Sequence, residues 1–327
     1  MGQKTKIDWC DSSWNPVTGC RHDCAYCYAR GIARRFGGKH TESGELHVLD
    51  QPMHRTEEMG DGLQRVGPIN PYPFGFEPTL HHYALKKPQG WKKPRSIFVC
   101  SMADLFGEWV PDEWIDEVIR STQKARQHRY LFLTKNPERY DEWLERFEES
   151  RIQGLDEIQN CWFGASASNN EQLERANRTR AMWLSIEPIR ERIETDEDQF
   201  MEFIQTPSGE VERPRWLWVV IGAETGNSKN KVRPEKEWID AIVEECDFYG
   251  TPVFMKESLR EIMGADFRQE YPWPTEQAKN CGICKWLSDD YTMVCCSGDS
   301  PRRGDFVSGT DSCQHWEKQD GPRQEIE

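Results

Sequence analysis

From residue 96 onward the chain alternates short apolar runs with longer amphipathic ones. The apolar runs are Ser96–Cys100, Tyr130–Leu133, Cys161–Ala165, Met182–Ile186, Trp216–Ile221 and Pro252–Met255. Each is strand-length, and most are rich in β-branched or aromatic residues. None alternates with charged residues, so each is expected to be buried on both faces, as parallel strands are. Helical spacing fills several of the gaps. Glu113–Gln127 places Trp114, Ile115, Val118 and Ile119 on one face. Asn136-Pro137 reads as an N-cap followed by a first-turn proline, opening a helix over Glu138–Glu148. Glu237–Tyr249 carries Trp238, Ile242, Val243 and Cys246, and Gly250 closes it. With a short strand ahead of residue 20, this alternation predicts an α/β fold with a parallel sheet, open or closed into a barrel. Residues 37–95 break the rhythm and are rich in Pro, so they read as an insertion over the barrel mouth. His40, His47, His54, His81 and His82 are scattered through it and are expected at the surface rather than as ligands.

Candidate chemistry starts ahead of that insertion. Cys20, Cys24 and Cys27 have the spacing C-x3-C-x2-C, with Tyr26 just before the third cysteine. Three thiolates on one short loop can hold three irons of a cubane. A [4Fe–4S] cluster normally takes four, so the fourth iron would be left for a small molecule. The competing reading is zinc, with Cys10 or Cys100 as a fourth ligand. Zinc ribbons favour C-x2-C knuckles, and this loop does not follow that pattern.

Barrel folds place their chemistry at the C-terminal ends of strands. The predicted strands run into Ser101 and Asp104, Thr134-Lys135-Asn136, Ser166-Ala167-Ser168-Asn169, Glu187-Pro188, Gly222-Ala223-Glu224-Thr225-Gly226 and Lys256-Glu257. Carboxylates follow four of them: Asp104, Glu187, Glu224 and Glu257. Carboxylates accept from ammonium and ribose hydroxyl groups, and serines donate to a carboxylate. Ser166, Ser168, Glu187 and Glu224 are the best candidates to hold a zwitterionic nucleoside, against the plainer roles of helix cap or salt bridge.

The chain has 327 residues and a net charge of −14, with 14 Trp and 14 Phe to supply a core. An acidic chain does not attract a phosphate backbone over long range. Lys86, Lys87, Lys92, Lys93 and Arg95 cluster around Trp91 and read as a solvated basic loop. The first nine residues lack an apolar h-region, and no apolar run approaches the ~18 residues of a membrane span. A cytosolic protein is expected. In a reducing cytosol its 12 cysteines are better explained by metal or cluster binding than by disulfides.

A second group, Cys281-x2-Cys284, Cys295-Cys296 and Cys313, lies in a short polar segment that a bound metal would have to organise. Cys295 and Cys296 compete for the third place. Four thiolates make either structural zinc or a saturated [4Fe–4S] cluster. The pattern resembles small four-cysteine domains with clusters of the high-potential type.

The C-x3-C-x2-C loop resembles that of the radical S-adenosylmethionine (SAM) enzymes. The order of motifs sharpens this. Trp14-Asn15-Pro16-Val17-Thr18-Gly19-Cys20 with Cys24-Ala25-Tyr26-Cys27-Tyr28-Ala29 comes first, then Val99–Phe106 and Leu133–Arg139. Gly164–Ser168, Leu184–Pro188 and Val220–Gly226 follow. The series resembles a phage- and prophage-associated family of uncharacterised radical-SAM-like proteins, over roughly residues 1–260. Leu133–Pro137 also resembles the spore photoproduct lyase branch. The resemblance implies a partial (β/α)6 TIM-type barrel over 1–262; residues 263–327 read as a small cysteine-rich extension, before which that family often ends. It implies a [4Fe–4S] cluster on Cys20, Cys24 and Cys27, with SAM chelated at the open iron and Tyr26 or Tyr28 near the adenine. An external donor of flavodoxin or ferredoxin type would supply an electron. SAM would then cleave to methionine and a 5′-deoxyadenosyl radical that takes hydrogen from a substrate, for which a modified nucleotide or nucleobase is the expectation. The alternative is a zinc-stabilised module that binds nucleic acid or protein without turnover.

Overall fold

The structure is a computed structural model and describes residues 5–37, 43–58, 64–149, 152, 155, 158–195, 197–206, 209–225 and 231–273. Cys281, Cys284, Cys295, Cys296 and Cys313 lie outside the described residues, as does His40. Seven strands form one sheet: β1 (Ser12–Trp14), β2 (Ser96–Val99), β3 (Arg129–Thr134), β4 (Cys161–Ala167), β5 (Trp183–Ile186), β6 (Val219–Ile221) and β7 (Val253–Met255). They are hydrogen-bonded in chain order, and every neighbouring pair is parallel. Six crossovers therefore join seven strands, and the sheet curls into a half-barrel, the partial TIM-type architecture expected. The apolar runs are largely buried on both faces, Leu217 at 47% exposure being the exception, and β2, β5, β6 and β7 are buried at every position. Among the described residues no helix is long and apolar enough to cross a membrane.

Helices α1 (Tyr28–Gly37), α2 (Asp112–Gln123), α3 (Glu138–Glu148), α4 (Asn170–Asn177) and α5 (Lys236–Tyr249) run in the crossovers. Gly250 ends α5 at φ 72°, a left-handed position that favours glycine. Two details differ from the sequence reading. Helix α2 stops at Gln123, where Lys124 and Ala125 turn back onto Ser121 and Thr122. Asn136 does not cap α3: its amide donates to the Phe106 carbonyl at 3.0 Å, and Pro137 takes the N-cap position.

The concave face of the sheet is filled by Trp9, Phe98, Leu131, Trp183, Trp218, Val220 and Phe254. The ring centre of Trp9 is 5.5 Å from that of Trp183 and 6.1 Å from that of Trp218. Gly164 on β4 makes room for this packing, since a Cβ there would sit 2.1 Å from the Trp183 indole. The segment carrying Trp9 also spans the seam between the first and last strands. Asp8 accepts from the Glu257 amide at 2.9 Å through its carboxylate, and its carbonyl accepts from the Tyr271 hydroxyl at 3.3 Å.

Between α1 and β2, Thr79–His81 lies between Val17–Thr18 and His47–Leu49, and His54–Glu58 pairs antiparallel with Gln64–Ile69. His54 is exposed, as expected. His81 is not a surface residue: it is 3% exposed. Thr18 and Tyr83 hydroxyls lie 2.9 and 3.1 Å from its two ring nitrogens, so the neutral ring is satisfied inside. Burial lowers its pKa to about 4. His47 is half-buried, bonded to Glu77 at 2.8 Å and stacked on Phe74. His82 is half-exposed and lies between Asp50 and Glu117.

Candidate functional site

Cys20, Cys24 and Cys27 all line one cavity, which encloses about 1120 Å³ of non-atom space including its open mouth. It lies beyond the C-terminal ends of the strands, where Ser101, Thr134, Ser166, Glu187 and Glu224 also line it. The loop between β1 and α1 is shaped by two left-handed residues. Gly19 sits at φ 88°, and a Cβ there would come within 2.2 Å of the Glu77 carbonyl oxygen. Asp23, between the first two cysteines, sits at φ 51°, which a non-glycine residue rarely adopts. Cys20 and Cys27 rest against an apolar cluster of Ala29, Ala33, Tyr72, Phe76 and Met102. Burial, and then the nearby Asp104 carboxylate, push the Cys20 thiol up to about 12. Burial also raises the Cys24 thiol, with Lys135 opposing. Among the described residues no three His, Cys, Asp or Glu side chains converge closely enough to hold a single metal ion.

Asp104 fastens this loop to the sheet. It is 5% exposed. One oxygen accepts from the Thr134 hydroxyl at 2.7 Å and the Phe106 amide at 3.0 Å. The other accepts from the Lys135 amide at 3.0 Å and from His22 Nε2 at 2.7 Å. His22 lies between Cys20 and Cys24, so one carboxylate joins the cysteine loop to the ends of β2 and β3. Burial resists ionisation of Asp104, but His22, Lys135 and Thr134 outweigh it and hold the carboxyl below its ordinary value.

The far wall follows the pleat. Ser166 on β4 and Ser185 on β5 are register neighbours, followed by Val220 on β6 and Phe254 on β7. Two residues further on, just past the strand ends, stand Ser168, Glu187, Gly222 and Lys256, of which Glu187 and Lys256 line the cavity. Tyr26 reaches across from the cysteine loop, its hydroxyl 3.0 Å from Ser168 Oγ. Its ring lies 5.4 Å from both Lys135 Nζ and the Arg190 guanidinium carbon. Lys135 donates to Ser166 Oγ at 3.0 Å. Glu187 is ion-paired with Lys256. Glu224 is 4% exposed, and its Oε2 has no hydrogen-bond partner among the described residues; Arg190 Nη1 stands 3.6 Å away.

The cavity thus gathers Tyr26, Ser166, Glu187 and Glu224 with the three cysteines. Ser168 stands behind Tyr26 rather than on the cavity wall. Asn169 serves as a helix cap, accepting from Gln172 N at 2.9 Å. Glu257 is exposed, pairs with Arg260 and does not line the cavity. Of the two spare thiols, Cys100 lines the cavity at φ 58°, whereas Cys10 does not line it. Sequence reasoning missed Trp9, Ser185 and Arg190 altogether, and quoted Lys135 and Lys256 without choosing them. Ser185 did leave a trace, as the one polar residue inside the run Met182–Ile186.

Fold and site together define an α/β half-barrel with a thiol-lined cavity at its strand ends. Residues 4–263 match a family described as "Protein of unknown function (DUF5131)", and the chain belongs to that family. No curated protein matches it. Among solved structures it is similar to a spore photoproduct lyase mutant with dinucleoside spore photoproduct, at 12% identity over 78% of this chain and 79% of the other, with a TM-score of 0.36. A double mutant of the same enzyme with bound AdoMet and the dinucleoside gives 12% identity over 77% and 78%, TM-score 0.37. The lyase complexed with dinucleoside spore photoproduct gives 11% over 78% and 79%, TM-score 0.37. At these values the likeness bears on neither activity nor substrate.

Proposed function

We propose that this protein is a cytosolic radical SAM enzyme. One observation carries the reading: the three thiols of a single C-x3-C-x2-C loop line the same cavity as Glu224, whose buried Oε2 accepts no hydrogen bond among the described residues and has Arg190 Nη1 3.6 Å away. The donor set fits a cubane with one open iron. It also fits the zwitterionic nucleoside that would complete it, because Glu224 Oε2 is a vacant acceptor for an ammonium or ribose hydroxyl. When bound, the cluster and SAM supply one-electron cleavage of a C–S bond and abstraction of hydrogen from the substrate.

The chain's own residues do the rest. Cys20, Cys24 and Cys27 hold three irons. Asp104, through His22, keeps their loop against the sheet. Ser166, with Lys135 behind it, offers a hydroxyl to a carboxylate, and Glu224 accepts from the opposite end. Tyr26, braced by Ser168 and the two flanking cations, presents a ring to the adenine, while Glu187 stands at the other end of the wall. Trp9, Phe98 and Leu133 make an apolar floor that excludes water beneath the reacting atoms. The electron comes from an external flavodoxin or ferredoxin.

Protein purified without oxygen should be brown, with broad visible absorbance. Incubation with SAM and dithionite should release 5′-deoxyadenosine, and Cys24→Ala should abolish it. Colourless protein holding zinc alone would overturn the proposal in favour of a zinc-stabilised module, with Cys100 the fourth thiol of that cavity. About four irons per chain would answer to one cluster; about eight would place a second on the C-terminal cysteines.

A further inference from the structure

The ends of β5, β6 and β7 bring a second set of polar groups to the same cavity. Glu187 and Lys256 stand just past the ends of β5 and β7, which are not neighbours, and meet over Gly222, the residue just past β6. A Cβ on Gly222 would lie 3.0 Å from both Glu187 Cγ and Lys256 Cδ, so the missing side chain lets the pair form. Both charged side chains are part-exposed, Lys256 at 20% and Glu187 at 26%. Their mutual contact uses one ammonium hydrogen and one carboxylate oxygen, and among the described residues no other side-chain hydrogen bond is made by either, so further donors stand beside a further acceptor. Ser185 on β5 and Trp9 also line the cavity, and Ser185 Oγ and the Trp9 indole N–H are buried with no hydrogen-bond partner among the described residues. Buried polar atoms without partners cost stability unless something fills them.

We infer that this wall reads the Watson–Crick edge of a nucleobase, where a donor sits next to an acceptor, and so deepens the radical SAM reading by giving the substrate its chemical class. The pair is neutral overall, so a phosphate or carboxylate drawn by Lys256 would be repelled by Glu187. A neutral group with an acceptor next to a donor meets both at once. The Trp9 and Phe98 rings that line the cavity suit a planar partner. The inference rests on the radical SAM reading in one respect: it leaves the cysteine side of the cavity to the cofactor.

The test is ligand-observed NMR on the full chain, reconstituted without oxygen and loaded with SAM. The probes are thymidine, deoxycytidine, deoxyadenosine and deoxyguanosine, each beside an analogue methylated on its Watson–Crick edge. At least one nucleoside should bind, edge methylation should weaken it about tenfold or more, and Lys256→Met should do the same. No binding by any of the four overturns the inference, as does an edge-methylated analogue that binds as well as its parent. Equal binding by a folded Lys256→Met does so too. The analogue comparison uses unaltered protein, so it decides the matter even if the variant fails to fold. Competition by a short single strand carrying the same base would assign the base to a polymer, and absence of competition to a free nucleoside. SAM binding is followed separately: its loss with base binding intact would strike the radical SAM reading and leave this one standing.

Discussion

Replacing Asp104 by asparagine removes one carboxylate oxygen and changes little in volume. The wild-type side chain accepts four hydrogen bonds, two at each oxygen. An asparagine amide keeps one oxygen and turns its NH2 toward two donors that then have no acceptor. At roughly 1.5–3 kcal/mol for each bond to a buried charged acceptor, the loss should be about 3–6 kcal/mol. Whichever way the amide turns, either the His22 and Lys135 bonds or the Thr134 and Phe106 bonds are broken. Urea unfolding followed by far-UV circular dichroism measures the stability, and iron per chain after reconstitution measures the hold on the cysteine loop. Both should fall. The pH dependence gives a further check. Asp104 has a depressed carboxyl pKa, so its contribution is present above the ordinary carboxylate value and is lost as pH falls through the lower folded value. The asparagine variant should lack that part of the acid-side decline. A stability loss under about 1 kcal/mol, with iron content unchanged, would refute the claim that this carboxylate anchors the loop.

Gly164→Ala drives a methyl group to within 2.1 Å of the Trp183 indole, so it should cost at least about 1–3 kcal/mol and lower the melting temperature; an unchanged transition would mean that the floor repacks freely. His81 should make folding weaker as pH falls from 6.5 toward about 4, because the unfolded chain takes up a proton there that the buried ring refuses. The whole effect is at most roughly 3 kcal/mol, and His81→Gln should flatten that limb of the stability–pH curve. Glu224→Gln should raise the SAM dissociation constant about tenfold or more in equilibrium dialysis, with iron content unchanged, and an unaltered constant would remove Glu224 from the cofactor's contacts.

Six strands of the half-barrel were legible because parallel strands covered on both faces must be largely apolar, whereas β1, Ser12-Ser13-Trp14, carries no such run. The helix over 138–148 and the glycine after 249 were legible for local reasons: proline and left-handed glycine act on their own backbone. The cysteine loop was legible because its three ligands are adjacent in sequence. Contacts across the sheet were not. Asp104 and Glu187 looked alike, as single carboxylates past a strand. One is a sealed anchor because three donors from distant segments and the nearby Phe106 amide surround it, and the other is half of a pair because Gly222 leaves a gap. His81 sits in a polar stretch and was expected at the surface, yet hydroxyls from Thr18 and Tyr83 make its burial tolerable. Asn136 had a capping residue's neighbours, but the Phe106 carbonyl offered its amide a partner outside the helix.

The stitch at Asp8 bears on how the molecule is made. Its partner amide at Glu257 is 249 positions away along the chain, and the indoles that receive Trp9 come from Trp183 and Trp218. At about 5–20 residues per second, a ribosome needs roughly 12–50 seconds between adding residue 8 and adding residue 257. For that interval the nascent amino-terminal segment has no pocket to enter. The floor beneath the thiols can set only when synthesis has passed the last strand, so any metal delivered earlier meets a loop whose base is still open to solvent.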